Sequence, residues 1–463
     1  MRTDMSDVME KLVSLCKRKG FIFQSSEIYG GLNGCWDYGP LGVELLRNIK
    51  ESWWRSMTYR EDVEGIDASI LMHAKVWEAS GHVEGFNDPM VEDSKTNERF
   101  RLDHLLEEAG VECTDLTFDD MAAKVAELGL KSPKGNELTA PRQFNMMFRT
   151  HVGPVEDSAS VVYLRPETAQ GIFVNYLNVQ QAMRQKLPFG IAQIGKAFRN
   201  EITTKNFLFR TREFEQMEMQ YFVKPGEEEK WFDYWKQERR KWFTEALGIP
   251  ASRLRWHEHG SGELAHYARQ AFDIHFEFPF GWDEVEGIHN RGQFDLGQHE
   301  EFSGKQLKYF DEAAKEKFVP AVVETSIGAS RSTMMVLSNA YDEEEVKGET
   351  RTVMRFHPKI APLKVAILPL VKRDGMPDIA RKIEADLRDH LRVFYDEGGA
   401  IGRRYRRMDE VGTPFCVTVD SDTLEDDTVT VRERDSMEQN RVKITDLLGE
   451  LTNRMANWKH PAA

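Results

Sequence analysis

Polar and apolar residues alternate from Phe189 to Val223 in two β-type runs, FGIAQIGKAFRNE and EFEQMEMQYFV, joined by a basic loop, ITTKNFLFRTR. In the first run Gln193, Gly195, Ala197, Arg199 and Glu201 share one side of the pleat, with Ile194 and Phe198 on the other. In the second, Phe214, Gln216, Glu218, Gln220 and Phe222 oppose Met217, Met219, Tyr221 and Val223. The pattern predicts a hairpin with charge along one face. Charges in mid-strand are costly to bury without partners. That face is therefore either solvated and laced by cross-strand ion pairs or turned towards something it binds.

Around this hairpin the periodicity changes. An amphipathic helix is expected from about Val8 to Arg18, and Pro40-Leu41-Gly42 opens another whose apolar stripe is Val43, Leu45, Leu46, Ile49, Trp53 and Trp54. The stretch from Val91 to about Thr150 is polar and helix-rich and ends in the loop KSPKGNELTAPRQ. A charged, aromatic surface helix falls between Lys224 and Gly248, and the apolar STMMVLSNAY follows a β-type run ending near Gly328. RFHPKIAP reads as a linker, beyond which strands and helices alternate as in an open α/β domain. The expected organisation is α+β: a catalytic-type region over 1–90 and 151–354, an insertion over 91–150, a linker over 355–362 and an α/β domain over 363–463.

With 463 residues, 40% of them hydrophobic, the chain can fill two or three cores. No run approaches the roughly 20 apolar residues of a membrane helix. The N-terminus reads as an amphipathic helix rather than a signal, so a cytoplasmic protein without membrane contact is expected. The four cysteines, Cys16, Cys35, Cys113 and Cys416, form no C-x-x-C pair, which predicts neither zinc nor disulfides. A net charge of −15 argues against wholesale nucleic-acid binding. Local basic runs remain at Lys205, Arg210 and Arg212 and at Arg403, Arg404, Arg406 and Arg407.

Two patterns invite chemistry that their context refuses. Gly190 to Lys196 fits G-x-x-x-x-G-K, but Ala197 replaces the required hydroxyl residue and a β-type run follows instead of a helix. Histidines 257, 259, 266 and 275 suggest a metal, yet no H-E-x-x-H pair is present. No nucleophile elbow appears either.

Phe198-Arg199-Asn200-Glu201, a loop, then Arg210-x-x-x-Phe214-x-x-x-Glu218 resembles motif 2 of the class II aminoacyl-tRNA synthetases. The resemblance implies that Arg199 grips the α-phosphate of ATP, Arg210 reaches the terminal phosphates and Phe214 stacks on adenine. Planar guanidinium forks and an aromatic face suit those tasks. The helix opened by Pro40 resembles motif 1, which implies a homodimer. Val322 to Arg331 resembles motif 3, with Gly328 admitting nucleotide and Arg331 on a terminal phosphate. Thr325, Ala329 and Ser330 depart from the common form of that motif.

Trp77-Glu78-Ala79-Ser80-Gly81-His82, Arg165-Pro166-Glu167-Thr168-Ala169-Gln170-Gly171 and Asn290-Arg291-x-x-x-Asp295-Leu296 are similar to segments of the glycyl-specific members. This narrower resemblance implies that Glu167, Glu218 and Glu324 bracket a glycine ammonium group while Arg291 orients its carboxylate. Arg101 matches a substrate-contacting position, a surface arginine being the alternative. Glu215, Gln216, Met217, Thr325, Ser326, Ile327 and Gly328 are implied around glycine. Asn200, Glu201, Phe209, Thr211, Arg212, Glu213, Val285, Ala329 and Ser330 are implied around ATP. Glu284 is implied as the Mg²⁺ carboxylate, acting through ATP. His289 stands where relatives often have a small residue.

The implied reaction has two steps: glycine attacks the α-phosphorus of ATP to give glycyl-adenylate and pyrophosphate, and the 3′ end of tRNA(Gly) takes the glycyl group. Catalysis is expected from Arg199, Arg210, Arg331 and Mg²⁺, with Glu201 beside them, and not from a protein base. The implied fold is an antiparallel catalytic sheet flanked by helices, a helical insertion and a C-terminal anticodon-binding domain. Arg403 to Arg407 is a candidate anticodon-stem contact. Two alternatives stay open: a non-catalytic synthetase-like subunit, such as the accessory subunit of mitochondrial DNA polymerase, and a class IIa enzyme for a larger amino acid.

Overall fold

The computed structural model describes residues 5–113, 116–154, 160–204, 206–260 and 269–460; Lys205 and His266 lie outside them. A seven-stranded sheet forms the centre, ordered Leu254–Glu258, Gln270–Phe278, Gly281–Gly292, Ala321–Gly328, Glu213–Val223, Phe189–Phe198 and Val63–Ile66. Every pairing is antiparallel except the last, where Val63–Ile66 runs parallel to Phe189–Phe198. The expected hairpin is the pair Phe189–Phe198 and Glu213–Val223, in register Glu218 to Gln193 and Phe214 to Ala197.

Strand alternation sends the two sides of this sheet to different fates. Met217, Met219 and Tyr221, with Val323, Ile327 and Ile288, point into the main core. There they meet Leu45, Ile49 and Trp53 of the helix Pro40–Thr58 and Met334 and Leu337 of the helix Ala329–Ala340. Of the stripe predicted for the first helix, only Val43 is exposed. The opposite side carries the polar residues. It closes at its far end over Phe222 and Val322, which pack with Ile172, Phe173, Tyr176 and Leu296.

The helix Pro40–Thr58 is seated by one close approach. Phe21 O accepts a hydrogen bond from Gly39 N at 2.9 Å, which brings the Phe21 carbonyl against Gly42. A Cβ on Gly42 would overlap Phe21 O and its carbonyl carbon, backbone atoms with no rotamer to escape to. Helix propensity favours alanine over glycine by about 1 kcal/mol, whereas the overlap works against it by about 3 kcal/mol. Gly42→Ala is therefore expected to lower the urea midpoint of the catalytic region, and an unchanged or raised midpoint would show that the segment before the helix yields freely.

The segment expected to be helical carries more than helices. Leu102–Glu108 and Phe118–Leu128 are helical, the second closed by a Thr117/Asp120 capping box. Beside them Asn87–Glu92, Arg99–Arg101 and Arg142–Asn145 make a three-stranded sheet. Two of these strands run only three and four residues, too short to leave a period-2 signal, and Pro89 interrupts the pattern of the third.

Residues beyond the linker form a second sheet, ordered Val393–Tyr395, Val365–Pro369, Phe415–Val419, Thr428–Glu433 and Gln439–Lys443, parallel in its first three strands and antiparallel after. The basic run lies in the helix Ile401–Val411, but its cations do not act together. Arg404 is buried and donates to Pro369 O at 2.7 Å, Asp396 O at 3.0 Å and Leu370 O at 3.1 Å. It fastens the helix to the sheet and is removed from the expected nucleic-acid contact, leaving Arg403 and Arg407 exposed.

Candidate active site

The polar side of the central sheet is neither solvated nor core. Glu218 is 2% exposed and Gln193 and Gln220 fully buried, which overturns a water-facing hairpin. Glu218 lines a cavity of about 350 Å³ whose wall also includes Arg101, Glu167, Arg199, Arg210, Glu284, His289, Arg291, Glu324 and Arg331. Register explains the convergence: Gln216, Glu218 and Gln220 sit opposite Gly328, Ser326 and Glu324 on the neighbouring strand, all of one parity.

Two irregularities in the strand Gly281–Gly292 bring its residues to the same cavity. Its pairing with Gln270–Phe278 passes from Glu286 to Glu284 while the partner advances by one residue, so Val285 is extra. That β-bulge puts Glu284 on the side of Gly287 and His289, while Val285 falls into the core. Against Ala321–Gly328 the register skips again between Asn290 and Gly292, leaving Arg291 as the extra residue.

One part of the wall is cationic. Arg199 Nε donates to Pro166 O at 3.1 Å, and its guanidinium lies 5.5 Å from the Phe214 ring centre and 5.4 Å from that of Phe86. Arg331 donates through Nη1 to Glu284 O at 3.0 Å, pairs with Glu284 Oε2 at 3.2 Å and covers Phe209 at 4.4 Å. Burial pushes the Glu284 carboxyl up, but the Arg331 charge, with His289 adding to it, outweighs this and holds it below the ordinary value. Arg101 faces the cavity, paired with Asp88 at 2.8 Å and Asp103 at 2.6 Å. Arg210, Glu201, Phe209, Thr211, Phe214 and Ser330 complete this part.

The other part is acidic, and its carboxylates are unlike one another. Glu324 accepts from Arg291 Nη1 at 3.0 Å and Gln220 Nε2 at 2.6 Å, and its Oε1 lies 2.7 Å from His289 Nδ1. Burial opposes its ionisation, but the Arg291 charge and these bonds prevail and its carboxyl is lowered. Glu218 takes a short hydrogen bond from Thr168 Oγ1 and another from Gln220 Nε2 at 3.1 Å. Burial and the charges of Glu324 and Glu167 raise it well above the carboxylate range. Glu218 is thus the member whose ionisation is most opposed by its surroundings and most favoured by an arriving cation. Glu167 accepts from Gln170 Nε2 at 2.8 Å and meets His82 Nε2 at 3.4 Å. Burial pushes it up as well, yet the His82 contact and the Arg291 charge bring it below the usual value.

Arg291 anchors this part: Nε and Nη2 reach Asp295 at 2.7 and 2.8 Å while Nη1 holds Glu324. The helix Phe294–Ser303 supplies Asp295 and also His299, whose Nε2 is 2.8 Å from Gln170 Oε1. A cavity with guanidinium groups along one part and fixed carboxylates along another suits a ligand pairing phosphates with an amine.

Of the residues expected here, Ser326, Gly328 and Gln216 also line the cavity. Several do not, and parity gives the reason for Met217, Thr325, Ile327 and Glu215. Met217, Ile327, Val285 and Ala329 are core residues, and buried Thr325 alternates with Glu324 and Ser326, so side-chain roles for them are withdrawn. Glu215 turns the same way and meets Lys50 Nζ at 2.9 Å. Glu213 pairs with Lys196 at the surface, and Arg212 bonds Glu201 O and Asn33 O outside the cavity. Asn200 is fixed by its backbone to Met146 O and does not line it. Conversely, His82, Thr168, Gln170, Gln220 and Asp295 had no assigned role in the sequence. His82 and Asp295 lie inside runs already marked; Gln220 was visible only as a polar residue in phase with Glu218.

Two family models match the chain: "tRNA synthetase class II core domain (G, H, P, S and T)" over residues 151–340 and "Anticodon binding domain" over residues 364–454. Among curated proteins, the glycine–tRNA ligase of Treponema denticola is 56% identical over 459 residues, spanning 97% of this chain and 98% of the relative. That of Borreliella burgdorferi is 56% identical over 455 residues, with the same coverage of each. The glycine–tRNA ligase of Chlorobaculum tepidum is 52% identical over 461 residues, spanning 94% of this chain and 98% of the relative.

Proposed function

The chain belongs to the glycine–tRNA ligases, class II aminoacyl-tRNA synthetases that join glycine to tRNA, and on that premise we propose how its cavity divides the work. It is an enzyme of ATP-dependent tRNA charging, and neither a non-catalytic subunit nor another amino-acid specificity is favoured. The single observation that carries the division is one cavity with arginines along one part and three glutamates along another, Glu218 and Glu324 buried and Glu167 half-buried.

Arg199 and Arg331 take the triphosphate between them, Arg199 on the α-phosphate and Arg331 with Arg210 on the outer phosphates. Phe214, on whose ring Arg199 rests, offers the face for adenine. Glycine enters with its ammonium group among Glu167, Glu218 and Glu324, and Arg291 lends positive charge beside its carboxylate. The incoming cation favours ionisation of Glu218, so part of the ammonium's desolvation is offset only once it arrives. The carboxylate oxygen then attacks the α-phosphorus in line and pyrophosphate leaves; the tRNA terminal hydroxyl next attacks the carbonyl of the adenylate, takes the glycyl group and releases AMP. Positioning and charge neutralisation carry the reaction, in which no protein nucleophile takes part.

Glu284 fits a magnesium-bearing ATP: it is a hard oxygen donor, ionised, at the cavity wall beside Arg331. Mg²⁺ bound there with ATP would neutralise phosphate charge. Selectivity rests on space. Gly287 lies so close to His289 that a Cβ added there would meet Cε1 at 2.6 Å, which leaves little slack beside Glu324 for a substrate methyl. Such crowding discriminates by roughly 1–3 kcal/mol, and every competing amino acid is larger than glycine.

Partners follow from the reaction: glycine, tRNA(Gly) and a second copy of the chain. The exposed apolar residues Ile28, Tyr29 and Leu32, in the turn before the helix Pro40–Thr58, support the homodimer. Among the described residues no helix is long and apolar enough to cross a membrane. We place the activity in the cytoplasm, with the tRNA pool. The test is ATP–pyrophosphate exchange with each amino acid in turn: glycine alone should support it, and exchange with alanine, proline or threonine at comparable kcat/KM would overturn the glycine pocket.

A further inference from the structure

The run Trp77 to His82 has no part in the scheme above, yet it reaches the site. His82 is brought there by Gly81, whose φ of 78° turns the chain in the left-handed region after the short helix Lys75–Ala79. The His82 ring stands edge-on to Trp77 at 5.5 Å and tilted against Phe86 at 5.4 Å. Ser80 Oγ lies 2.8 Å from Nδ1 and 3.4 Å from Trp77 O. With the hydroxyl proton on the nearer Nδ1, that nitrogen accepts, the ring proton sits on Nε2, and Nε2 faces Glu167 Oε2 at 3.4 Å as a donor. The other oxygen of Glu167 takes Gln170 Nε2, so both ends of this carboxylate are fixed and its remaining lone pairs are left for the cavity.

We propose that Ser80 and His82 are positioning residues for glycine capture: Ser80 orients the His82 ring, and His82 sets the charge and the plane of Glu167. The inference rests on Glu167 being a ligand of the glycine ammonium group. A carboxylate that must meet a small cation without a side chain to steer it depends on prior orientation, and two donors from different elements provide it. The lowered carboxyl of Glu167 agrees with a donor that favours its ionised form. The segment also touches the phosphate-binding part, since Phe86 lies beneath Arg199. Even so, His82 itself faces only the acidic part.

The test is the KM for glycine and for ATP in pyrophosphate exchange across a series at position 82. His82→Phe fills the slot between Trp77 and Phe86 but offers no N–H; His82→Gln keeps a donor near Nε2. Charge-assisted hydrogen bonds of this kind support an expected rise of about ten- to hundredfold in glycine KM for His82→Phe, with ATP KM unchanged. His82→Gln should recover most of that loss. Wild-type glycine KM in His82→Phe would reduce the histidine to packing and overturn the proposal.

Glu167→Gln separates this outcome from failure of the premise. If it leaves glycine KM unaltered, Glu167 is not the ligand and both readings fall. If it raises glycine KM, the premise stands, and adding His82→Phe should then cost less than about threefold more; fully multiplied effects would overturn the coupling alone. Should substitution of the ring disturb folding, Ser80→Ala keeps it and removes only the oxygen on Nδ1. That variant is expected to raise glycine KM about three- to tenfold, and no rise would likewise count against the proposal.

Discussion

Arg199→Ala is expected to reduce ATP–pyrophosphate exchange by about a thousandfold or more while leaving the unfolding transition close to that of the parent. The two halves of this expectation come from the same geometry. Among the described residues the guanidinium is held by one neutral hydrogen bond, to Pro166 O, and by two ring faces, with no carboxylate paired to it. Its removal therefore strands no buried ion, and the fold loses about 1 kcal/mol. The charge is instead available to a phosphate, whose growing negative charge during adenylate formation has few other cations to meet. Parallel exchange assays and thermal unfolding of both proteins decide it. Exchange within tenfold of the parent would remove Arg199 from the reaction, and a collapsed transition would make it structural.

Arg291 is expected to behave in the opposite way. Arg291→Met should destabilise the catalytic region by about 3–5 kcal/mol and abolish glycine-dependent exchange. Arg291 is 2% exposed and holds Asp295 and Glu324, themselves 2% and 3% exposed, so losing it leaves two buried carboxylates without their cation. Adding Asp295→Leu removes one of those stranded charges. The double variant should regain part of the stability but none of the exchange, because Glu324 still lacks its guanidinium partner. Urea unfolding and exchange on the single and double variants read the two effects separately, and stability unchanged in Arg291→Met would refute the buried network as a source of either.

Much of this site was legible in the sequence because strands write their faces every second residue. Glu218 could be placed on a polar side from spacing, and motif resemblance then supplied Glu324, Ser326, Arg291 and the other residues from distant segments. The failures share one cause. The resemblance covers runs such as Phe214 to Glu218 and Glu324 to Gly328 as blocks, although Glu215, Met217, Thr325 and Ile327 belong to the opposite side by the same alternation. Arg404 departs from expectation for a different reason. A helix of repeated arginines carries no mark of which one meets the carbonyls of Pro369 and Leu370 until the helix is docked. His82 was visible within its run, but its contact with Glu167 spans two segments whose meeting no local pattern announces.

The extra residue at Val285 has a consequence for how this enzyme can vary. Because Glu284 owes its orientation to a count and not to its own chemistry, losing that one residue would exchange inward and outward positions for everything upstream of it in the strand. Glu284 would then turn its acid group away from Arg331 although every ligand in the sequence was still present. In this strand a change of length by one acts as a change of reagent, and single-residue indels there should be tolerated less well than most substitutions.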